Sequence, residues 1–367
     1  MKMGCIAVMG SGPGACAVAA DTALAGYEVS LFDLPEFAKN IQAIKKAGGV
    51  QKVGGRREGF AKLKQATTDI HQAIEDAELI MPVVPTYAHK VFAQVLAPHL
   101  SEDQMIILNP GSTGGGLEFV RSLRDSGYRR EIRIAETSTL PYGARLIEPG
   151  KVRIFLEVKE LYFAAFPAKK NEEFFWIFKE IYPNIRAMSN VLETGLNNGN
   201  PVSHPAAAIL NAGRIEYTAG DYYHYREGIT PSVARVMEGI DGERLNLCKE
   251  MGFSEIPTLE RLYSLGYTDR KDNLYEAYRN SKVFAPMKAP ADLQGRFISE
   301  DIPYGLVTWS SLGDMIGVAT PLMKAIIMIA SSLNQKNYLV EGRTVEKLGL
   351  AGMGVKQLNE FLIEGVL

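Results

Sequence analysis

The chain has 367 residues, too many for one ordinary hydrophobic core and about right for two domains. Hydrophobic residues make up 46% and charged residues 22%, a balance that excludes extensive disorder. Lys and Arg number 40 against 42 Asp and Glu, for a formal net charge of -2; this excludes the basic footprint of a polyanion binder, so nucleic acid is not an expected partner.

Residues 5–9 form a short apolar run ending at Gly10, and a glycine-rich turn then leads into the alanine-dense stretch 15–25, which stops at Gly26. That is strand, tight turn, helix. Residues 28–32 alternate into a second strand ending at Asp33, which completes a right-handed βαβ unit of about thirty residues. A helix is predicted over 35–47, and the short runs 49–53 and 59–64 fit a hairpin. Thr68-Asp69 is placed to cap a short helix through residue 74, and the nearly continuous apolar run 78–84 reads as a strand buried on both faces. A helix over 87–96 stops before Pro98, and a second buried strand at 104–108 is broken by Asn109-Pro110-Gly111. A helix near 117–126 and a strand at 132–136 follow.

This alternation is expected to continue to about residue 185, with strands at 152–158 and 161–165 and a helix at 171–181. Beyond residue 191 long helical patterns take over, at 206–225, 232–251, 258–265 and 322–333. The expected fold is therefore an α/β Rossmann dinucleotide-binding domain over 1–190, followed by a mainly α-helical domain over 191–367. The apolar stretch 325–330 is far shorter than the roughly 20 residues of a membrane span. No signal-peptide layout opens the chain, and Cys5, Cys16 and Cys248 show no paired spacing. A cytoplasmic protein with no membrane partner is the expectation.

Gly10-Ser11-Gly12-Pro13-Gly14-Ala15 fits the dinucleotide fingerprint. The first glycine permits a tight turn, the second lets the backbone approach a pyrophosphate, and the small last residue lets helix and strand pack closely. The helix N-terminus adds unpaired N–H donors and a favourable dipole. Asp33, at about the expected separation of 20 residues, is placed to accept from the ribose hydroxyls. Its charge opposes a 2′-phosphate, and Leu34-Pro35 follow it rather than an arginine, so NAD(H) is favoured over NADP(H). Pro85, Asn109 and Gly111 follow buried strands and are expected at the carboxyl edge of the sheet beside the cofactor. No metal-ligand spacing is evident, so no metal is expected.

Of five histidines, His71, His89, His99 and His224 lie in or beside amphipathic helical stretches, where a structural role is the simpler reading. His204 differs, because it follows the polar run Asn197-Asn198-Gly199-Asn200-Pro201 at the start of the helical region. A histidine exchanges protons near neutral pH, and a carboxylate partner would orient its ring. The segment around Arg296, Glu300 and Asp301 supplies two acids and an arginine fork suited to a carboxylate, although a surface ion-pair loop fits the same residues.

Taken together, these residues resemble the opine dehydrogenase family, which includes octopine, nopaline and N-(1-D-carboxylethyl)-L-norvaline dehydrogenases. The resemblance spans nearly the whole chain. It runs through the Gly10 turn, Val84-Pro85 with His89, Asn109-Pro110-Gly111-Ser112-Thr113 and Glu136-Thr137-Ser138. It continues in Asn198, Asn200 and His204-Pro205, Glu227-Gly228-Ile229-Thr230-Pro231, Glu300-Asp301 and Glu341-Gly342-Arg343-Thr344. It implies a helical domain like the C-terminal domain of 6-phosphogluconate dehydrogenase, and reductive condensation of a 2-oxo acid, often pyruvate, with the amino group of an amino acid. It further implies that His204 is catalytic with Asp301 as its carboxylate partner, that Arg296 holds a substrate carboxylate, and that Asn198 or Asn200 helps place substrate or nicotinamide. A homodimer is a further expectation. The rival readings are a hydroxy-acid or polyol-phosphate dehydrogenase of the same architecture and a cofactor sensor without turnover.

Overall fold

In the computed structural model, which describes residues 4–366, the first βαβ unit forms as strand β1 (Cys5–Met9), helix α1 (Pro13–Leu24) and strand β2 (Glu28–Phe32). Helix α2 (Ala38–Ala47) follows, and then β3 (Gly49–Val53), β4 (Gly59–Lys62) and β5 (Gln65–Thr67). Helices α3 (Ile70–Ile74), α4 (His89–Leu96) and α5 (Gly115–Asp125) alternate with β6 (Leu79–Pro82), β7 (Met105–Leu108) and β8 (Arg133–Thr137). Four more strands, β9 (Tyr142–Glu148), β10 (Lys151–Glu157), β11 (Leu161–Phe166) and β12 (Ile185–Ala187), enclose helix α6 (Asn171–Ile181).

The main sheet has eight strands in the order β12-β11-β8-β7-β6-β1-β2-β5. From β5 to β8 every pairing is parallel, and β11 then runs antiparallel to β8. Cys5–Met9 and Leu79–Pro82 are buried at every position, which is why they read as unbroken apolar runs. This is the Rossmann arrangement, with helical crossovers joining its parallel strands.

The structure departs from the expected alternation at β9 (Tyr142–Glu148). Strand–helix alternation does not continue to residue 185, because β9 and β10 pair antiparallel and join the β3–β4 hairpin in a second sheet, ordered β4-β3-β10-β9. Strand β9 has only one buried residue, Tyr142, so it offers no buried run to find in the sequence. This small sheet covers α1. Asp21 of α1 accepts from Lys52 Nζ at 2.5 Å, Arg57 Nη1 at 2.6 Å and Tyr142 Oη at 2.8 Å. A helix covered on both sides has no need of a polar face, which explains the alanine density of α1.

The chain divides into two compact units, one reaching Gly111 and resuming over Gly115–Val191, the other made of Ser112–Gly114 and everything from Leu192. The second unit is helical. After α7 (Val191–Leu196) come α8 (Asn200–Ile209), α9 (Ala212–Thr218), α10 (Pro231–Met251), α11 (Thr258–Ser264), α12 (Leu274–Arg279), α13 (Arg296–Ser299), α14 (Val307–Ile316) and α15 (Pro321–Asn334). Helix α10 starts where Thr230 accepts from Val233 N and Pro231 needs no N–H, and it stops at Gly252 with φ 73°. The Ser112–Gly114 segment is tied into this unit: Thr113 Oγ1 donates to the Gly195 carbonyl at 3.0 Å and accepts from Trp309 Nε1 at 2.7 Å.

The single helix expected over 206–225 is instead broken. It becomes α8 and α9, ends at Ala219 with φ 47°, and gives way to a π-helical turn, His224–Gly228. Among the described residues no helix is long and apolar enough to cross a membrane.

Candidate active site

Each unit holds its own group of polar residues. In the first, Gly10 ends β1 at φ 110°, and a Cβ there would lie 2.7 Å from the Val83 carbonyl oxygen, so both conformation and space demand glycine. Gly12 precedes α1 in an extended conformation, and a Cβ there would meet nothing within 4 Å. No described residue comes close enough to require that bareness. What it does permit is close approach of a phosphate to the helix N-terminus, where the first N–H groups have no partner within the helix. Pro13 occupies the first turn, Gly14 packs under Leu140, and buried Ala15 lies close against Gly10.

Asp33 ends β2 with Ser11 Oγ donating to Oδ2 at 2.6 Å and Leu34 N to Oδ1 at 2.8 Å. Burial raises its pKa, and these two hydrogen bonds oppose the rise. Each carboxylate oxygen keeps accepting capacity for a ribose hydroxyl. Because β1 lies between β2 and β6, the Gly10 turn sits where the direction of the crossovers reverses, the usual ligand position in such sheets. Pro85, Asn109 and Gly111 follow β6 and β7 at the same carboxyl edge. Asn109 Oδ1 accepts from Thr137 Oγ1 at 3.0 Å, and a Cβ on Gly111 would fall 2.4 Å from the Glu136 carboxyl group. These features fit the pyrophosphate and ribose of a nicotinamide dinucleotide.

In the helical unit, His204 lies on α8 and Asp301 at the start of the π-helical turn Ile302–Leu306. Although 97 residues apart, they meet: His204 Nδ1 is 2.7 Å from Asp301 Oδ2. The other ring nitrogen, Nε2, is 2.9 Å from the Tyr225 hydroxyl. Burial pushes that hydroxyl well above its usual pKa, so it stays protonated at neutral pH and can donate to a neutral imidazole. Burial also raises Asp301, opposed by the charge of His204 and its hydrogen bond. Phe297 stacks on the His204 ring at 4.0 Å and 18°, which fixes its plane.

Arg296 is adjacent to Phe297 on α13, with an exposed side chain whose Nε donates to Glu300 Oε2 at 2.6 Å. Asn198 and Asn200 flank Gly199 just before His204, and Asn198 Oδ1 accepts from Asn200 N at 3.1 Å. The geometry thus joins His204 to Asp301 directly and puts Arg296 beside the ring that stacks on His204.

Sequence reasoning missed Tyr225 and Phe297. Both hid among aromatic residues that spacing alone assigns to packing, and the helix expected over 206–225 obscured the turn that delivers Tyr225. His224 is fully buried against Tyr225 and Phe297, and its ring nitrogens have no hydrogen-bond partner among the described residues. Burial first, and the charge of His204 second, lower its pKa to about 3.

Residues 187–334 match the family described as NAD/NADP octopine/nopaline dehydrogenase, alpha-helical domain. The chain is 38% identical over 350 residues to an opine dehydrogenase of Arthrobacter sp. (strain 1C), covering 95% of each chain. It is 26% identical over 349 residues to the protein ocs of Agrobacterium tumefaciens (strain Ach5), covering 95% of this chain and 96% of the other. In fold it resembles octopine dehydrogenase solved with NADH and agmatine, with a TM-score of 0.79 and 20% identity over 100% of this chain and 99% of that one. The near-complete coverage by a relative at this identity places both units in one lineage of oxidoreductases, and the chain belongs to the opine dehydrogenase family.

Proposed function

We propose that the protein condenses a 2-oxo acid, pyruvate first, with the amino group of an amino acid and reduces the resulting C=N bond to a secondary amine dicarboxylate, and that it also runs the reverse. This makes it an oxidoreductase acting on CH–NH bonds. The observation that carries the reading is the His204 ring held between Asp301 and Tyr225 in a chain of this family.

Asp301 accepts the Nδ1 proton, which leaves Nε2 as the atom that moves protons. During condensation Nε2 takes a proton from the donor's ammonium group, the freed amine attacks the carbonyl carbon, and Nε2 returns that proton to the carbinolamine hydroxyl, which leaves as water. The iminium that remains keeps its N–H, so hydride addition at carbon gives the secondary amine directly, with no free anion. NADH, when bound, supplies the hydride to the former carbonyl carbon. The Tyr225 hydroxyl keeps Nε2 hydrogen-bonded until substrate takes its place. Arg296 anchors the oxo-acid carboxylate, exchanging its contact with Glu300 for the substrate. Asn198 and Asn200 help position substrate or the nicotinamide ring. Asp33 favours NAD(H) over NADP(H), since a 2′-phosphate would bring a second negative charge to a buried carboxylate.

The test follows NADH absorbance with pyruvate alone and then with a panel of L-amino acids and simple amines. Oxidation requiring both partners, with a secondary amine product by mass, is the expected result. Oxidation with the oxo acid alone would support a hydroxy-acid dehydrogenase, and NADH binding without turnover would support a sensor.

A further inference from the structure

A second arginine in the helical unit lies in an unusual electrostatic setting. Arg261, on α11, is only 5% exposed, yet its guanidinium forms no hydrogen bond or ion pair among the described residues. The acids nearby are committed elsewhere. Asp241 Oδ1 accepts from Arg244 Nε at 2.8 Å and Thr258 Oγ1 at 2.7 Å, and its Oδ2 accepts from Thr258 N at 2.8 Å. Arg244, by contrast, is satisfied, donating also to the carbonyls of Leu196 and Ile256. Burial chiefly, and the neighbouring Arg244 charge, lower the pKa of Arg261, against the opposing influence of Tyr278, Tyr267 and Asp241; an arginine stays charged in a protein all the same. A buried cation without an anion is strongly unfavourable, so this arrangement calls for one.

The position of that cation is informative. A Cβ built on Gly199 would lie 1.3 Å from Nη2 and 1.9 Å from Cζ of Arg261, so the guanidinium fills the space any side chain at 199 would take. Gly199 precedes α8, the ten-residue helix that carries His204, so Arg261 lies at a helix N-terminus whose dipole also favours an anion. Ser203 Oγ donates to the Gly199 carbonyl at 3.0 Å and hydrogen-bonds the Tyr278 hydroxyl. Tyr278 stacks on Tyr225 at 5.5 Å, and Tyr225 reaches His204 Nε2. A run of contacts through Gly199, Ser203, Tyr278 and Tyr225 thus links the neighbourhood of the cation to the reacting nitrogen.

We infer that Arg261 anchors the carboxylate of the amino donor, a reading that rests on the reductive condensation proposed above. The product carries two carboxylates. The one from the oxo acid is bonded to the reacting carbon and belongs beside His204, where Arg296 lies next to Phe297. The donor's carboxylate is three bonds from that carbon and needs a cation farther away, which Arg261 supplies through a bidentate fork. Arg261 then selects amino acids against amines lacking the carboxylate.

The experiment compares each L-amino acid with its decarboxylated amine, L-norvaline with butylamine and L-arginine with agmatine among them, in the wild type and in Arg261→Leu and Arg261→Lys. The wild type should prefer the amino acid by about 100-fold or more in kcat/KM. Arg261→Leu should bring the ratio near one through the donor KM with the pyruvate KM unchanged, and Arg261→Lys should restore part of it. An unchanged ratio in a folded Arg261→Leu enzyme, or an equal rise in both KM values, overturns the inference. Should Arg261→Leu fail to fold, Gly199→Ala, which displaces the guanidinium, decides by the same ratio. If no donor supports NADH oxidation, the functional reading fails on its own. Calorimetric titration with L-norvaline and L-arginine then tests Arg261 separately: binding weakened in Arg261→Lys supports the anchor, and absent or unaltered binding overturns it.

Discussion

Gly12 and Gly199 each stand just before a helix that carries chemistry, and each lacks a side chain for a different reason. At Gly12 a Cβ would meet nothing within 4 Å among the described residues, space that the proposed cofactor would use; at Gly199 it would strike Arg261, and the space is taken by the protein's own cation. The first site is written in consecutive residues. The second is assembled from α8, α11, α13 and two π-helical turns spread over more than a hundred residues. A local turn can bind the same cofactor in many enzymes, whereas an assembled cluster can be specific to one substrate.

Substitutions at the two sites should separate their roles. The largest effect is expected at His204, where His204→Ala should lower kcat by about 10²–10⁴-fold while NADH affinity, measured by fluorescence titration, stays within about twofold. Loss of both together would mark His204 as structural. Gly12→Ala should do the reverse, weakening NADH binding about tenfold or more, roughly 1.4 kcal/mol, with no change in Tm. A large fall in Tm would show that Gly12 serves the fold.

A pH effect comes next. His224 has an ordinary pKa of 6.5 when unfolded and about 3 when folded, so the unfolded state takes up the proton first as pH falls. The stability present above pH 6.5 should therefore decline toward pH 3, by up to about 1.4 kcal/mol per pH unit. In urea melts across that window His224→Phe should flatten the decline; an unaltered slope would mean that other groups govern acid unfolding. The smallest effect is expected for Tyr225→Phe, which keeps the stacked ring and removes one hydrogen bond to Nε2, a change of about 1 kcal/mol in kcat/KM. A loss as large as that of His204→Ala would instead make the hydroxyl a direct participant in proton transfer.

Much of the first unit was legible in the sequence because its signals are local. The run before Gly10, the alanine-rich helix and the buried strands at β6 and β7 each announce themselves within a dozen residues. Strand β9 did not, since only Tyr142 of its seven residues is buried. The break between α8 and α9 was equally silent, because Leu210 and Asn211 carry no Pro or Gly and the left-handed stop falls on Ala219. The two acids near Arg296 made that segment a candidate partner for His204, but only family resemblance picked out Asp301, as no periodicity links positions 97 residues apart. Tyr225, Phe297 and Arg261 were out of reach for the same reason, since a ring or a guanidinium gains its meaning here from what folds against it.

The central claim is that hydride reaches the carbon that also gains the amine. Its most direct test supplies NADH deuterated at the transferred position of C4, with pyruvate and the active amine, and locates the label in the product by mass spectrometry. The account predicts deuterium on the carbon between carboxylate and secondary nitrogen, with no deuterated lactate. Deuterium found only in lactate, formed whether or not the amine is present, would contradict it.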